Sequence, residues 1–386
     1  MKILMINKTD SLGGAAQVMQ NLTNGLRVGG HEVKMLVRRK FTDDKNVAEL
    51  SDNILEKLSR KIAGRDVPIV LNNFRDAVLA DDINFGKSQE ILSHPLIKWA
   101  DVIHCHNLHG NYFRLDNLIE LSNKKKVVWT WHDWWPYTGH CATPMDCCRY
   151  EFGCGKCPNL KTYQTFWWDN TAKMWNKKRY ILEKSKLKIV VPSIEMANKI
   201  KGVIMIHNGV NIVKINKNKQ ELRQELGLPE DASIVMFVVY GWENVDKGWE
   251  HIELLKSKFK QVYWLGVGAT KTGFSDGVNF IGLVDQLKLQ KYMKASDVFL
   301  FPSLAESFGM TPVEAMGQGT PVVGFPVGVV SELIKHKGSG YLAKYNNTLD
   351  LENGINFVLK NNLKVKVDDY SIKKMVNEYI KVYETS

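Results

Sequence analysis

Two carboxylates stand eight positions apart in Glu306-Ser307-Phe308-Gly309-Met310-Thr311-Pro312-Val313-Glu314, around a turn that opens a helix. The apolar run Val298–Phe301 before it ends at Pro302, so the local order reads strand, loop, helix. A helix that starts where a loop leaves a parallel sheet aims unpaired N–H groups and its positive dipole end into the crevice. That arrangement suits a phosphate. A carboxylate one turn inside the helix could reach a ribose, and one before the turn could reach a sugar. A plainer reading competes for Glu314: Thr311 as N-cap, Pro312 at the first helical position and Glu314 three residues after the cap form a capping box. Glu306 has no capping role to fill.

Other reactive residues gather at the ends of apolar runs. Gly13-Gly14-Ala15-Ala16 follows the first such run and opens a helix, so its backbone can come close to an anion or an acceptor, although tight turns use glycine anyway. His132 closes the run Val127–Trp131, with Asp133 next to it to set the imidazole orientation. The competing reading is a loop histidine beside an N-cap aspartate. His104-Cys105-His106-Asn107 is a second polar cluster at a strand end, with His109 nearby. Alternation puts His104 and His106 on one face and Cys105 on the other, which favours acceptor-side hydrogen bonding by His106 and Asn107 over a metal. No Asp-x-Asp occurs anywhere in the chain, so no motif for a catalytic divalent metal is apparent.

Five of the six cysteines fall between positions 141 and 157. The spacing Cys141-x5-Cys147-x6-Cys154-x2-Cys157 could wrap one tetrahedral ion, and four thiolates match a closed structural zinc site. An iron–sulfur cluster and free or paired thiols are the alternatives. The tryptophans at 129, 131, 134, 135, 167, 168 and 175 surround this window. Core packing is the default for so many rings, and an acceptor platform for a lipid-linked glycan is the functional alternative.

The elements that position these residues alternate from end to end, which argues α/β with parallel sheets. Lys2–Ile6, Glu32–Val37, Asp101–Cys105, Lys126–Trp131 and Lys188–Val191 read as strands of a first half, with a helix over Ala15–Val28. Residues 41–95 are polar and irregular and receive no placement. Ser233–Val239, Gln261–Leu265, Val278–Phe280, Val298–Phe301 and Pro321–Phe325 read as strands of a second half. The polar, basic, aperiodic stretch Asn211–Gln220 marks a boundary, giving domains over 1–212 and 213–369. Apolar positions at helical spacing over Asp369–Tyr383 predict a closing helix.

Composition sets the outer limits. At 386 residues, 44% apolar and 24% charged, the chain is a globular protein with room for two cores. No apolar run reaches the length of a membrane span, and the N-terminal run is too short for a secretory signal, so a cytoplasmic protein is expected. The net charge of +11 comes without a nucleic-acid motif. A sugar nucleotide and an anionic membrane surface are the better-matched partners, with peripheral attachment to the inner face. Arg38-Arg39-Lys40 and Lys124-Lys125-Lys126 are the basic clusters, each also readable as a solvated face.

The Glu-x7-Glu pattern resembles the signature of retaining GT-B glycosyltransferases of family four. The resemblance extends over nearly the whole chain: the Gly13-Gly14 loop, Trp131-His132-Asp133, His207-Asn208-Gly209-Val210, Lys247-Gly248, Glu314-Ala315-Met316 and Gly319-Thr320-Pro321-Val322-Val323 occur in its order. It implies two Rossmann-like domains with parallel sheets facing a central cleft, and a C-terminal helix over 370–386 that packs back on the first domain. It implies transfer of a sugar, with retention, from a nucleotide-diphosphate donor to a glycan or lipid-linked glycan in bacterial surface-polysaccharide synthesis. Residue by residue, Lys247 and Gly14 would meet the diphosphate, Glu314 the ribose, and Glu306 and His132 the donor sugar. Ser307, Phe308, Gly309, Met310 and Thr311 would form the turn whose amides meet diphosphate and sugar, with Gly13, His106, Asn107 and Asp133 on the acceptor side. One departure is visible: Trp242 stands where such proteins often carry a second diphosphate-binding cation, an arginine. That departure keeps a weakly active nucleotide-sugar-binding partner subunit open, beside a GT-B epimerase or phosphorylase. Front-face and double-displacement mechanisms both remain open.

Overall fold

A computed structural model describes residues 1–51, 74–84, 89–110, 112–162, 165–239, 245–368 and 370–385. Much of the unplaced stretch 41–95, and Trp242, lie outside the described residues. The chain divides into two compact units. Unit 1 holds Met1–Pro192, Lys199–Gly209 and Ile372–Ser386; unit 2 holds Ser193–Asn198 and Val210–Ser371.

Unit 1 is built on β1 (Lys2–Thr9), β2 (Glu32–Arg39), β3 (Val47–Glu49), β4 (Val102–Cys105), β5 (Lys126–Thr130), β6 (Leu187–Val191) and β7 (Ile204–Met205). They form one parallel sheet in the order β3-β2-β1-β4-β5-β6-β7. The β1 run is longer than its apolar core suggests, because Asn7 and Thr9 stay in register with Val37 and Arg39. Ile3, Leu4, Met5 and Ile6 are fully buried, as a strand covered on both faces requires.

Unit 2 repeats the plan with β8 (Ile234–Val238), β9 (Tyr263–Val267), β10 (Gly273–Ser275), β11 (Val278–Ile281), β12 (Val298–Phe301), β13 (Val322–Gly324) and β14 (Gly340–Leu342). Their order is β10-β11-β9-β8-β12-β13-β14, parallel except for the β10–β11 hairpin. The strand expected over Gln261–Leu265 is displaced to Tyr263–Val267, where Val267 pairs with Val238 and with Ile281. In both sheets the order reverses beside the first strand of the unit, between β1 and β4 and between β8 and β12. Loops leaving the carboxyl ends of such strand pairs part in opposite directions and open a crevice.

The closing helix, Ile372–Glu384, belongs to unit 1. It buries Met375, Val376, Tyr379, Val382 and Tyr383. Val376 packs so closely on the helix Gly14–Val28 that a Cβ at Gly25 would sit 2.5 Å from its methyl group. Most of the tryptophan-rich region is core: Trp129, Trp131, Trp134 and Trp135 are buried, which leaves the aromatic-platform reading to the exposed Trp167 and Trp168 and the half-buried Trp175. The solvated-face reading of Arg38 and Arg39 does not hold, since both lie buried on β2. The other basic cluster is spent locally. Lys124 pairs with Glu120, and Lys125 donates to the Lys98 and Ala100 carbonyls. Among the described residues no helix is long and apolar enough to cross a membrane.

Candidate functional site

In unit 2 the loops after β8 and β12 are tied together at the sheet's carboxyl edge. The Leu304 amide donates to the Asp246 carbonyl at 2.7 Å. Gly248 holds a left-handed conformation (φ 68°), and a Cβ there would lie 2.0 Å from the Pro302 carbonyl oxygen. Only glycine fits that approach. The clamp sets Lys247 Nζ 2.7 Å from Glu306 Oε1 and 3.7 Å from Asp246 Oδ2. Burial works against the Lys247 ammonium, but the Glu306 and Asp246 carboxylates outweigh it and hold it above the ordinary lysine value. Asp246 moves up, raised by burial and by Glu306 against the pull of Lys247.

The following helix, Met310–Gly317, has Gly309 as its N-cap, at φ 91° and with no side-chain capping bond. This corrects the capping-box reading: Thr311 and Pro312 already lie inside the first turn, so Glu314 is not three residues after the cap. With Gly309 in the left-handed region, the chain enters the helix two residues earlier than a Thr311 cap would set it. Glu314 instead points into the protein, 4% exposed, where it accepts a hydrogen bond from Gln286 Nε2 at 2.6 Å. Burial pushes its carboxyl up to about 7, with the Gln286 bond pulling the other way. Gln286, at the head of the helix Gln286–Ala295, carries no sequence signal that pairs it with Glu314. Phe308 is buried, and its carbonyl accepts from the Val329 amide at 2.7 Å, which fixes the turn from behind. Ser307, Met310 and Thr311 are half-buried around it.

In unit 1 the carboxyl ends of β1, β4 and β5 carry the second cluster. Gly13 caps the helix Gly14–Val28 at φ 89°, and a Cβ at either Gly13 or Gly14 would meet nothing within 4 Å. His106 and His132 share a hydrogen bond, Nδ1 to Nε2, at 2.8 Å, with their rings stacked. The alternation argument for β4 holds, since the rings of His104 and His106 lie 4.2 Å apart. His104 is enclosed by Tyr383 Oη at 2.7 Å and Thr130 Oγ1 at 2.8 Å, and Thr130 in turn meets Tyr379 Oη at 2.7 Å. Burial holds His104 down to about 3 and His132 to about 4, and pushes His106 well below the ordinary histidine range. Asp133 accepts from His109 Nε2 at 2.9 Å and from the Trp135 amide at 2.9 Å. The bond that fixes His132 Nε2 thus comes from His106, a partnership that sequence reasoning did not anticipate. Asn107 is held by its backbone, its amide donating to Asn7 Oδ1 and its carbonyl accepting from Tyr112. Lys8 is a further cation here that sequence reasoning passed over. A Cβ at Gly110 would lie 2.9 Å from its Nζ, and burial lowers its pKa.

The cysteine window lies along the same loop system. Cys141, Cys147, Cys154 and Cys157 line one small cavity, and Cys148 is exposed.

Comparison with known proteins reaches both units. The sequence model of Glycosyltransferase Family 4 matches residues 12–214, and that of Glycosyl transferases group 1 matches residues 218–375. An uncharacterized glycosyltransferase of Methanocaldococcus jannaschii is 30% identical over 211 residues, covering 47% of this chain and 54% of its own. A protein of Escherichia coli named for a glycosyl transferase role in colanic acid biosynthesis is 24% identical over 255 residues, covering 61% and 62%. The chain spans about half the length of the curated relatives it matches. Among solved structures, Anabaena HepE in complex with UDP-glucose superposes with a TM-score of 0.64 at 16% identity, over 100% of both chains. The two parallel-sheet units are those of the GT-B fold, and with the first family model covering more than half of its residues, the chain belongs to glycosyltransferase family 4.

Proposed function

We propose that this chain is a retaining glycosyltransferase that moves a hexosyl or related sugar from a nucleotide-diphosphate donor to a glycan or lipid-linked glycan, in bacterial surface-polysaccharide synthesis. The observation that carries the reading is the Lys247–Glu306 pair beside the glycine-led helix start at Gly309. Breaking the bond between sugar and diphosphate leaves negative charge on the departing phosphate oxygens. Groups already aimed at that charge lower the barrier without reorganising during the reaction. Lys247 supplies an ammonium and the turn from Ser307 to Thr311 supplies amides. Before donor binds, Glu306 keeps the ammonium paired. On binding, a phosphate oxygen takes over one of its hydrogen bonds, and Glu306 turns to the donor sugar. Glu314 accepts from the ribose hydroxyls.

In unit 1, His132 contacts the transferring sugar, and Gly14 leaves its amide open to the diphosphate. Gly13, His106, Asn107 and Asp133 serve the acceptor side. His106 does so through His132, the ring it touches. Diphosphate binding by ammonium and amides fits a sequence that lacks Asp-x-Asp. The Anabaena neighbour bound to UDP-glucose and the Escherichia coli relative named for colanic acid support a sugar-nucleotide donor and a polysaccharide product. A cytoplasmic enzyme, peripheral on the inner membrane face, completes the proposal.

The test is a nucleotide-sugar panel screened by thermal shift, followed by transfer assays on the binders and NMR of the product's anomeric centre. Lys247→Ala is expected to lower kcat/KM at least about tenfold, roughly 1.4 kcal/mol of transition-state stabilisation. Wild-type rates from that variant at saturating donor would reject the role, and an inverted anomeric centre would reject retention.

A further inference from the structure

We propose that Cys141, Cys147, Cys154 and Cys157 together bind one structural zinc ion, which pins the loop that carries His132 and Asp133. The four cysteines line one cavity of about 20 Å³ together with Thr138, Tyr150 and Thr171. That is room for roughly one small occupant. Polar groups already face two of the sulfurs: the Gly139 amide donates to Cys154 Sγ at 3.2 Å, and His140 Nε2 shares a hydrogen bond with Cys157 Sγ at 3.4 Å. Groups of this kind orient thiolate ligands from outside the coordination sphere.

The second observation is a buried cation. Lys178, 1% exposed, donates to the Trp135 carbonyl at 2.9 Å and lies 3.8 Å from the centroid of the Trp135 ring. Burial works against its charge, and Asp82 and Asp133 offset part of that cost. A buried ammonium is costly unless negative charge stands close by. Zinc held by four thiolates carries a net charge of about −2, which would add to what the two aspartates supply. Among the described residues no group of three or more histidines, cysteines or carboxylates is already arranged to hold a metal. Loading therefore draws the four sulfurs inward from the cavity wall, and each thiol gives up its proton to solvent as its bond to zinc forms.

The consequence reaches the candidate site through short links. The Trp134 amide donates to the Ala142 carbonyl at 3.0 Å, Thr138 Oγ1 donates to the Cys141 carbonyl at 2.6 Å, and Trp175 Nε1 donates to the Tyr150 carbonyl at 2.8 Å. An ion at the centre ties these contacts into one unit directly after His132. The inference is independent of the transfer reaction, because its test reads metal rather than turnover.

Protein purified without chelator from zinc-supplemented culture is expected to hold about one zinc per chain by mass spectrometry. Cys154→Ser and Cys157→Ser should lose nearly all of it. Cys148→Ser, which alters the exposed cysteine of the same window, should keep it. If the ligand variants fail to fold, cobalt exchanged into the wild-type chain decides the matter. Intense ligand-field bands with thiolate charge transfer, at one cobalt per chain, are expected for a tetrahedral four-thiolate site. Wild-type protein with under about a tenth of an equivalent of zinc, iron in its place, an octahedral cobalt spectrum, or equal zinc loss from Cys148→Ser would each overturn the assignment.

Discussion

The two polar clusters occupy equivalent places in their sheets yet handle charge in opposite ways. At the ends of β4 and β5, three histidines are packed against one another and held neutral by burial. At the ends of β8 and β12, Lys247 keeps its charge because Glu306 and Asp246 stand beside it. Neutral imidazoles can exchange hydrogen bonds with hydroxyl groups, whereas a retained ammonium beside a helix N-terminus is matched to a phosphate. The same fold plan, used twice, thus produces one neutral and one charged cluster, which the proposed function assigns to sugar and to diphosphate. It also gives the two units opposite responses to pH.

The largest expected effect is acid loss of unit 1. His104 and His132 have native values near 3 and 4, below the ordinary histidine value of 6.5. The unfolded chain therefore takes up protons that the native state refuses, and stability is complete above pH 6.5 and falls as pH drops toward 4. The expected loss is at least about 3 kcal/mol. Urea unfolding followed by the fluorescence of the tryptophans at 129–135 should show a midpoint that falls between pH 7.5 and 5. A flat midpoint over that range would show that these histidines are not held neutral, and the contrast between the units would go with it.

Glu314 gives the opposite sign and a somewhat smaller effect. Its native value of about 7 lies above the ordinary 4.5, so its contribution to stability is complete below pH 4.5 and is lost as pH rises through 7. At pH 8 the ionised, buried carboxylate costs roughly 3 kcal/mol. Glu314→Gln keeps a partner for Gln286 and should stabilise unit 2 at pH 8 by up to that amount, with no gain at pH 4. Hydrogen exchange of the segment 298–317 reads this locally. Calorimetry should show weaker nucleotide binding by the same variant. Stabilisation with unchanged nucleotide affinity would leave Glu314 as a core residue only.

Strand positions were legible because strands buried on both faces leave unbroken apolar runs, as in Ile3–Ile6 and Val298–Phe301. Strand ends were less so. Asn7 and Thr9 continue β1 by backbone pairing, which their side chains do not announce. Sequence placed Lys247, Glu306 and Glu314 near one crevice edge, but their partners depend on tertiary approach. Gln286 reaches Glu314 across 28 positions, and His106 reaches His132 across 26. The capping box failed for a local reason: a left-handed Gly309 outcompetes Thr311 as helix start. Arg38 and Arg39 read as surface charge because nothing in a basic triplet reveals that a strand carries it inward.

The smallest predicted effect tests what keeps the histidine cluster dry. Tyr383, fully buried on the closing helix, meets His104 Nδ1, while Tyr379 meets Thr130, which occupies the other ring nitrogen. Tyr383→Phe removes one oxygen and leaves the ring packing intact, so a buried imidazole nitrogen loses its partner. The expected cost is about 1 kcal/mol at pH 7.5, within the range for one buried hydrogen bond. Without the Tyr383 hydroxyl, His104 Nδ1 has less reason to stay unsolvated, and its protonation should begin at higher pH. The acid loss of unit 1 should then start nearer neutrality than in the unsubstituted chain. An unaltered onset, with the stability cost present, would mean that burial by the closing helix excludes the proton and the hydroxyl contributes only its bond.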